Sequence, residues 1–388
     1  MQFELDESQQ AIVEAVEKIC AQFDDAYWLE KDNSHEFPFE FHRAMAESGW
    51  LGIAMPEAQG GAGLGITEAA LLMHRVARAG GGMSAASAIH MNIFGPHPIV
   101  VFGTDEQRER FLPPLIQGKD LACFGVTEPD AGLNTTRIKT FARRDGDGYV
   151  VNGRKIWTST AQEATKIMLL ARTTPIEQCK SPVDGISLFY TDLNRDYVEV
   201  REIPKMGRAA VDTNQVFIDG LPVPEADRIG EEGKGFRYLL HSLNPERILV
   251  AVEAIGIGQN ALERATRYAK ERVVFDRPIG QNQAIQHPLA ENWCELEAAW
   301  LMAMQAAWRY DQELDCGAYA NAAKYLGAEA GFKACQQAIM THGGMGYAKE
   351  FHVERLFREV LVTRIAPVSP QLVLSYIAER VLGLPKSY

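Results

Sequence analysis

The chain has 388 residues, enough for two or three packed units at the usual domain size. Apolar residues make up 46% and charged residues 23%, with 33 Gly and 18 Pro, which excludes a disulfide-stapled mini-protein, a collagen-like repeat and long disorder. The net charge of −12 leaves no excess of Lys and Arg to grip a phosphate backbone, so general nucleic-acid binding is excluded.

In chain order, the first third reads as helix. Ile12, Val16, Ile19, Cys20 and Phe23 form one apolar stripe on a helix starting near Glu7. Thr67 is expected to cap a helix carrying Ala70, Leu71, Val76 and Ala77, and Thr104 to cap another running to Ile116 with Asp105 and Glu106 in its first turn. From about Cys123 to Pro224 the pattern is that of strands. Asp145-Gly146 and Asn152-Gly153 read as hairpin turns on either side of Tyr149-Val150-Val151. Further β-like runs are Ile167 to Ala171, Ile186 to Tyr190, Val198 to Ile203 and Val216 to Ile218. Beyond Gly235 the helical period returns. A helix from Pro245 to about Arg272 is rich in Ala and Gly, with Asn244 as its cap and Glu246 in its first turn. Leu289, Trp293, Leu296, Trp300, Ala303, Ala307, Tyr310 and Leu314 mark the next, with Pro288 in its first turn, and the stretch from Ala318 to Ile339 is similar. The layout is helices, then a β unit, then helices, an α+β arrangement.

Several function classes find no support. The acidic opening Met1-Gln2-Phe3-Glu4-Leu5-Asp6-Glu7 lacks the positive charge of a targeting peptide, and apolar runs such as Ile248 to Val252 fall far short of a membrane span, so a soluble, cytoplasmic protein is expected. Six scattered cysteines without a Cys-x-x-Cys pair, and histidines without His-Glu-x-x-His, point to reduced thiols and no metal site. Gly60 to Gly65 follows no buried strand and reads as a flexible connection, not a dinucleotide loop. No Gly-x-Ser-x-Gly elbow is present. Taken alone, Asn244-Pro245-Glu246-Arg247 reads as a helix start.

Val126-Thr127-Glu128-Pro129-Asp130-Ala131-Gly132 resembles the Thr-Glu-Pro-x-Ala-Gly signature of the acyl-CoA dehydrogenase flavoproteins. Asn152-Gly153-Arg154-Lys155-Ile156-Trp157 follows at the family's spacing, and Arg272-Val273-Val274-Phe275 and Gly343-Gly344-Met345-Gly346-Tyr347 resemble its two later elements. The resemblance implies an N-terminal helical domain over 1–121, a middle β-barrel or sheet domain over 122–230 and a C-terminal four-helix bundle over 231–388. It implies FAD-dependent oxidation of a fatty or branched-chain acyl-CoA to the trans-2-enoyl-CoA, in a homo-oligomer, expected to be a tetramer, that passes electrons to an electron-transfer flavoprotein. Most members place the base 24 residues after the first glycine of the Gly-Gly element, which lands here on Pro367. Isovaleryl and long-chain members carry it before an Arg on the earlier helix, so Glu246 is the expected catalytic base.

The same resemblance assigns Phe124, Val126, Thr127, Trp157, Thr158 and Ser159 to the isoalloxazine ring. It assigns Arg272, Phe275, Gln283, Gly343, Gly344, Ser369 and Gln371 to the nucleotide part of FAD, with Arg272 and Phe275 reaching a neighbouring subunit's cofactor. Leu133, Asn244 and Arg247 fall at substrate positions. Leu133-Asn134 stands where Ser-Asp is usual, and Pro367 offers no N–H to the thioester oxygen, so a neighbour such as Val368 is expected to supply it. Closing the pocket would raise the pKa of the base while a helix N-terminus would lower it. The alternatives are an oxygen-using oxidase or monooxygenase of the same fold, and a non-catalytic flavoprotein scaffold.

Overall fold

The computed structural model describes residues 4–386. Helices α1 (Glu7–Cys20), α2 (Asp25–Ser34), α3 (Phe39–Glu47), α4 (Ile66–Arg78), α5 (Gly82–Phe94), α6 (His97–Phe102) and α7 (Asp105–Ile116) form the N-terminal layer. Asp6 caps α1 by accepting the Gln9 N–H at 2.8 Å, and Thr104 caps α7 in the expected way. The cap expected at Thr67 needs correction. α4 starts at Ile66, and its first donors are met by a distant carboxylate, Asp311, which accepts the Ile66 N–H at 2.7 Å and the Thr67 N–H at 2.8 Å. The Gly60–Gly65 stretch is also tighter than a flexible connection. Ala62, Gly63 and Leu64 donate to the Gly52, Met55 and Ile53 carbonyls, and a Cβ on Gly61 would lie 2.2 Å from the Met55 oxygen.

The middle unit contains β1 (Ala122–Gly125), β2 (Phe141–Asp145), β3 (Gly148–Ser159), β4 (Lys166–Arg172), β5 (Ile186–Asp192), β6 (Val198–Glu202), β7 (Thr213–Pro224) and β8 (Arg228–Ile229). They form one mixed sheet ordered β6-β7-β3-β2-β4-β5-β8, with β1 parallel to β4. β4 is apolar without alternation because both of its faces are covered. Met168 and Leu170 join a core with Phe111, Leu112 and Leu115 of α7, while Ile167, Leu169 and Ala171 join a second core with Val151 and Val216. Asp145-Gly146 does turn the chain from β2 into β3. Asn152-Gly153 does not: it is a bulge inside β3, where the register against β7 shifts. There the Asn152 side chain accepts the Gly220 N–H at 2.9 Å, and a Cβ on Gly153 would run into Thr140.

The C-terminal unit contains α8 (Gly235–Glu271), a hairpin of β9 (Val273–Val274) and β10 (Arg277–Pro278), α9 (Gln283–Asp311), α10 (Gly317–His342), α11 (Val353–Ile365) and α12 (Pro370–Arg380). α8 and α10 pack backbone to backbone. A Cβ on Gly331 would sit 2.3 Å from the Ala254 oxygen, and one on Gly327 2.8 Å from the Ala251 oxygen. Four sequence expectations fail here. Asn244-Pro245 lies in the interior of α8, which begins at Gly235, where the chain is pressed against the backbone of β5 at Leu188. Pro288 lies past the first turn of α9, and Leu314 lies beyond its end. Trp293 projects outward while Leu296, Ala303 and Ala307 make the buried seam. One segment, Val353–Arg380, is long and apolar enough by composition to cross a membrane, but it is divided into α11 and α12, and Arg355 and Glu359 of α11 are buried in the bundle.

Candidate active site at the junction of sheet and bundle

The signature loop after β1 is stitched to β3. Glu128 is buried and accepts the Lys139 N–H at 2.6 Å, the Thr140 N–H at 3.0 Å and the Lys155 ammonium at 2.9 Å. Lys155 also donates to the Val126 and Leu170 carbonyls, and the Ile156 N–H donates to the Thr127 carbonyl at 2.9 Å. Burial draws the Lys155 amine down to about 8 against the pull of Glu128. These bonds hold Val126 and Thr127 beside Trp157. Phe124 of β1 stacks on Phe94 of α5, centroids 6.1 Å apart, which joins the same loop to the helical layer. Past the tight Glu128–Ala131 turn, Leu133 is exposed.

Trp157 lies at a second bulge of β3, with φ of 61° and 59% of its surface exposed. Such a backbone is costly for a bulky residue, and here it turns a wide aromatic face outward. Thr158 next to it is fully enclosed and its hydroxyl has no partner, whereas Ser159 is half-buried. Ser159 Oγ accepts from Arg208 Nη2 at 2.9 Å and lies 3.3 Å from Thr213 Oγ1.

Glu246 lies in α8, within electrostatic reach of His90 of α5. Among the described residues it makes no hydrogen bond and no ion pair. Burial raises its pKa, partly opposed by His90 and Arg247, and Glu253 raises it further. The helix N-terminus weighed in the sequence is absent, because α8 has already run for about three turns before Glu246. His90 of α5 bonds through Nδ1 to Glu253 Oε1 at 2.7 Å; Glu253 is buried about two turns after Glu246 on the same face of α8. Burial pulls the His90 imidazole down, but the Glu253 carboxylate outweighs it, with a smaller pull from Glu246, and the net shift is upward. Arg247 Nη1 donates to Asn244 Oδ1 at 3.0 Å, and its Nε is buried without a partner. Glu246 is thus linked to Ser159 only through α5, because His90 feels both Glu246 and Arg208 and Arg208 donates to Ser159, while Asn244 and Arg247 neighbour Glu246 along α8.

Other predicted residues lie elsewhere. Arg272 is about 26 residues beyond Glu246 along α8, roughly 39 Å at 1.5 Å per residue. Gly343 and Gly344 join it at that far end, because Tyr268 of α8 stacks on His342 of α10 at 4.3 Å, and Gln283 opens α9 nearby. Phe275 is 93% exposed at the tip of the β9–β10 hairpin. Ser369 and Gln371 are at the opposite end, where Lys324 of α10 donates to the Val368 carbonyl at 2.6 Å and lies within the electrostatic reach of Arg247. Ser369 Oγ caps α12 by accepting the Leu372 N–H at 3.3 Å. One flavin dinucleotide cannot reach both ends of a single chain.

His90, Glu253, Arg208, Glu128 and Lys155 are the site residues that sequence reasoning did not single out. Glu253 had a signal, an acid inside an otherwise apolar helical run. Among the described residues no group of His, Cys, Asp or Glu is arranged to hold a metal.

Comparison with known proteins gives a consistent result. The profile of the acyl-CoA dehydrogenase N-terminal domain matches residues 6–119, that of the middle domain 123–221 and that of the C-terminal domain 233–382. Acyl-CoA dehydrogenase fadE12 of Mycobacterium bovis is 36% identical over 394 aligned positions, covering 98% of each chain. The structure of glutaryl-coenzyme A dehydrogenase in complex with glutaryl-CoA superposes with a TM-score of 0.94 at 30% identity, covering 100% of this chain and 98% of that one. The FAD complex of PigA superposes with a TM-score of 0.92 at 26% identity, covering 99% and 100%.

Proposed function

The chain belongs to the acyl-CoA dehydrogenase family of flavoprotein oxidoreductases, and we propose that it oxidises the Cα–Cβ bond of an acyl-CoA to the trans-2-enoyl-CoA with Glu246 as base. The observation that carries this reading is an ionisable side chain with no hydrogen bond or ion pair of its own among the described residues, within electrostatic reach of His90 on α5, the helix whose Ser87 shares Arg208 with Ser159. Burial raises its pKa, and a carboxylate of higher pKa is a stronger base toward a carbon acid.

The residues present fit FAD: an aromatic face exposed at a strained bulge, a half-buried hydroxyl beside it, and a loop pinned by Glu128 and Lys155. When bound, FAD supplies the acceptor for the β-hydrogen as hydride. Val126 and Thr127 would hold the ring's polar edge and Trp157 would cover one face. Thr158 contributes through its backbone, since its side chain is enclosed. Glu246 takes the α-proton onto a carboxylate oxygen. Leu133, Asn244 and Arg247, the last with a spare Nε–H, would meet the acyl-CoA. Val368 supplies the N–H that Pro367 lacks.

The far-end set of Arg272, Phe275, Gln283, Gly343 and Gly344 would hold a neighbouring subunit's FAD, while Ser369 and Gln371 would hold the chain's own. That division requires a second copy of the chain, and a homotetramer is the proposed assembly. An electron-transfer flavoprotein in the cytoplasm is the proposed electron acceptor. The test is anaerobic addition of short, branched, medium and long acyl-CoAs to the FAD-loaded protein. Loss of flavin absorbance with at least one class is expected, and absence of bleaching across the panel rejects the reading.

A further inference from the structure

Arg208 lies between β6 and β7 with φ of 60°, a conformation that a non-glycine residue keeps only where its surroundings enforce it. Its guanidinium meets three hydroxyls. Nη1 donates to Ser87 Oγ of α5 at 3.2 Å, and Nη2 donates to Ser159 Oγ of β3 and Thr213 Oγ1 of β7, each at 2.9 Å. Other arginines at domain contacts meet carboxylates, as Arg264 meets Asp25 and Arg358 meets Asp32. Arg208 meets none within ion-pair distance among the described residues; Glu359, Asp212 and Glu253 act on it only from further away. A half-buried guanidinium held by neutral hydroxyls is a cation with no carboxylate in direct contact.

The hydroxyl protons can be counted. Ser159 and Thr213 both accept from Arg208, and at 3.3 Å one of the two donates to the other, so one hydroxyl proton is left over. Thr213 is buried and Ser159 half-buried, so the free proton belongs to Ser159, on the side that carries Trp157.

We infer that Arg208 is a positioning residue for the bound flavin: it turns the Ser159 hydroxyl proton toward the ring edge that receives the hydride and supplies the counter-charge for the reduced ring. This rests on the reading above, in which the flavin lies against Trp157 and Ser159. A hydride brings two electrons and one proton, so the ring gains one negative charge, and a nearby cation favours the reduced form over the oxidised one.

The test is the reduction potential of the FAD-loaded enzyme, measured by equilibration with an indicator dye. Arg208→Gln is expected to disfavour the reduced form at least tenfold, about 30 mV for a two-electron couple. Arg208→Lys, which restores a charge, should recover most of the loss. Ser159→Ala should move the potential the same way by a smaller amount. An unchanged potential in Arg208→Gln overturns the inference, as does Arg208→Lys behaving like Arg208→Gln. If Arg208→Gln does not retain FAD, Ser159→Ala decides, and an unmoved potential there overturns it. Failure of the underlying function would look different: the wild-type enzyme would not bleach with any acyl-CoA, whatever its potential.

Discussion

Glu128→Ala tests whether the signature loop is held by its own acid. The substitution strips the acceptor from two backbone N–H groups, on Lys139 and Thr140, and from the Lys155 ammonium. Stranding a buried charge costs about 3–5 kcal/mol. Here much of that cost is avoided, because the Lys155 amine already sits at about 8 and, without Glu128, gives up its proton near neutrality while still donating to the Val126 and Leu170 carbonyls. What remains is mainly the two unpaired N–H groups at about 1–3 kcal/mol each, and Lys139 lies where water reaches it. The expected loss is about 3 kcal/mol. If FAD must reorder the loop, that loss weakens FAD binding about 100-fold at 1.4 kcal/mol per decade. The assay is FAD titration of the apoprotein by fluorescence, with the urea midpoint as a control. Glu128→Gln, which keeps an acceptor, should fall between the two. An Ala variant within threefold of wild-type FAD affinity would refute the reasoning.

Other predictions concern charge and assembly. Lys155 and Lys324 are both drawn down to about 8 by burial, so between pH 8 and about 10.4 the unfolded chain keeps protons that the folded chain has lost, and stability gains with rising pH in that window. The wild type minus Lys324→Met difference in urea midpoint should therefore grow from pH 8 to 10, and a flat difference contradicts the assignment. His90→Gln removes the charge that lowers the Glu246 pKa and leaves Glu253, which raises it, so the acidic limb of the bleaching rate should move to higher pH; an unmoved limb shows that His90 does not act on the base. Phe275→Ala, at a side chain 93% exposed in one chain, should leave the monomer fold intact within about 0.5 kcal/mol yet weaken FAD retention and assembly, checked by size-exclusion chromatography with flavin absorbance.

The amphipathic elements were legible because their burial is one-sided or periodic: the α1 stripe and the β4 and β5 runs fall where the residue pattern puts them. α5 was not legible. It is buried on nearly every side, with Glu359 of α11 accepting the Met83 and Ser84 N–H groups at its start, so it shows no polar face to betray a helix. Ser87 and His90, which link sheet to bundle, ride on that helix. Asn152-Gly153 and Asn244-Pro245 carried strong local signals that tertiary contacts overrode, the first by pairing with β7 and the second by the docking of Gly235 on β5. At the candidate site, short motifs and the family resemblance singled out Glu246 and Trp157 as candidates. Arg208, His90 and Glu253 belong to no motif, and their meeting depends on packing between segments far apart in the chain.

The decisive measurement is stopped-flow bleaching of FAD-loaded Glu246→Gln under anaerobic conditions with whichever acyl-CoA reduces the wild type fastest. Gln matches the carboxylate in shape and cannot take a proton, so absorbance should stay at the oxidised level while the ligand still perturbs the flavin spectrum on binding. Reduction at a rate within tenfold of the wild type would assign the proton to another group and overturn the mechanism.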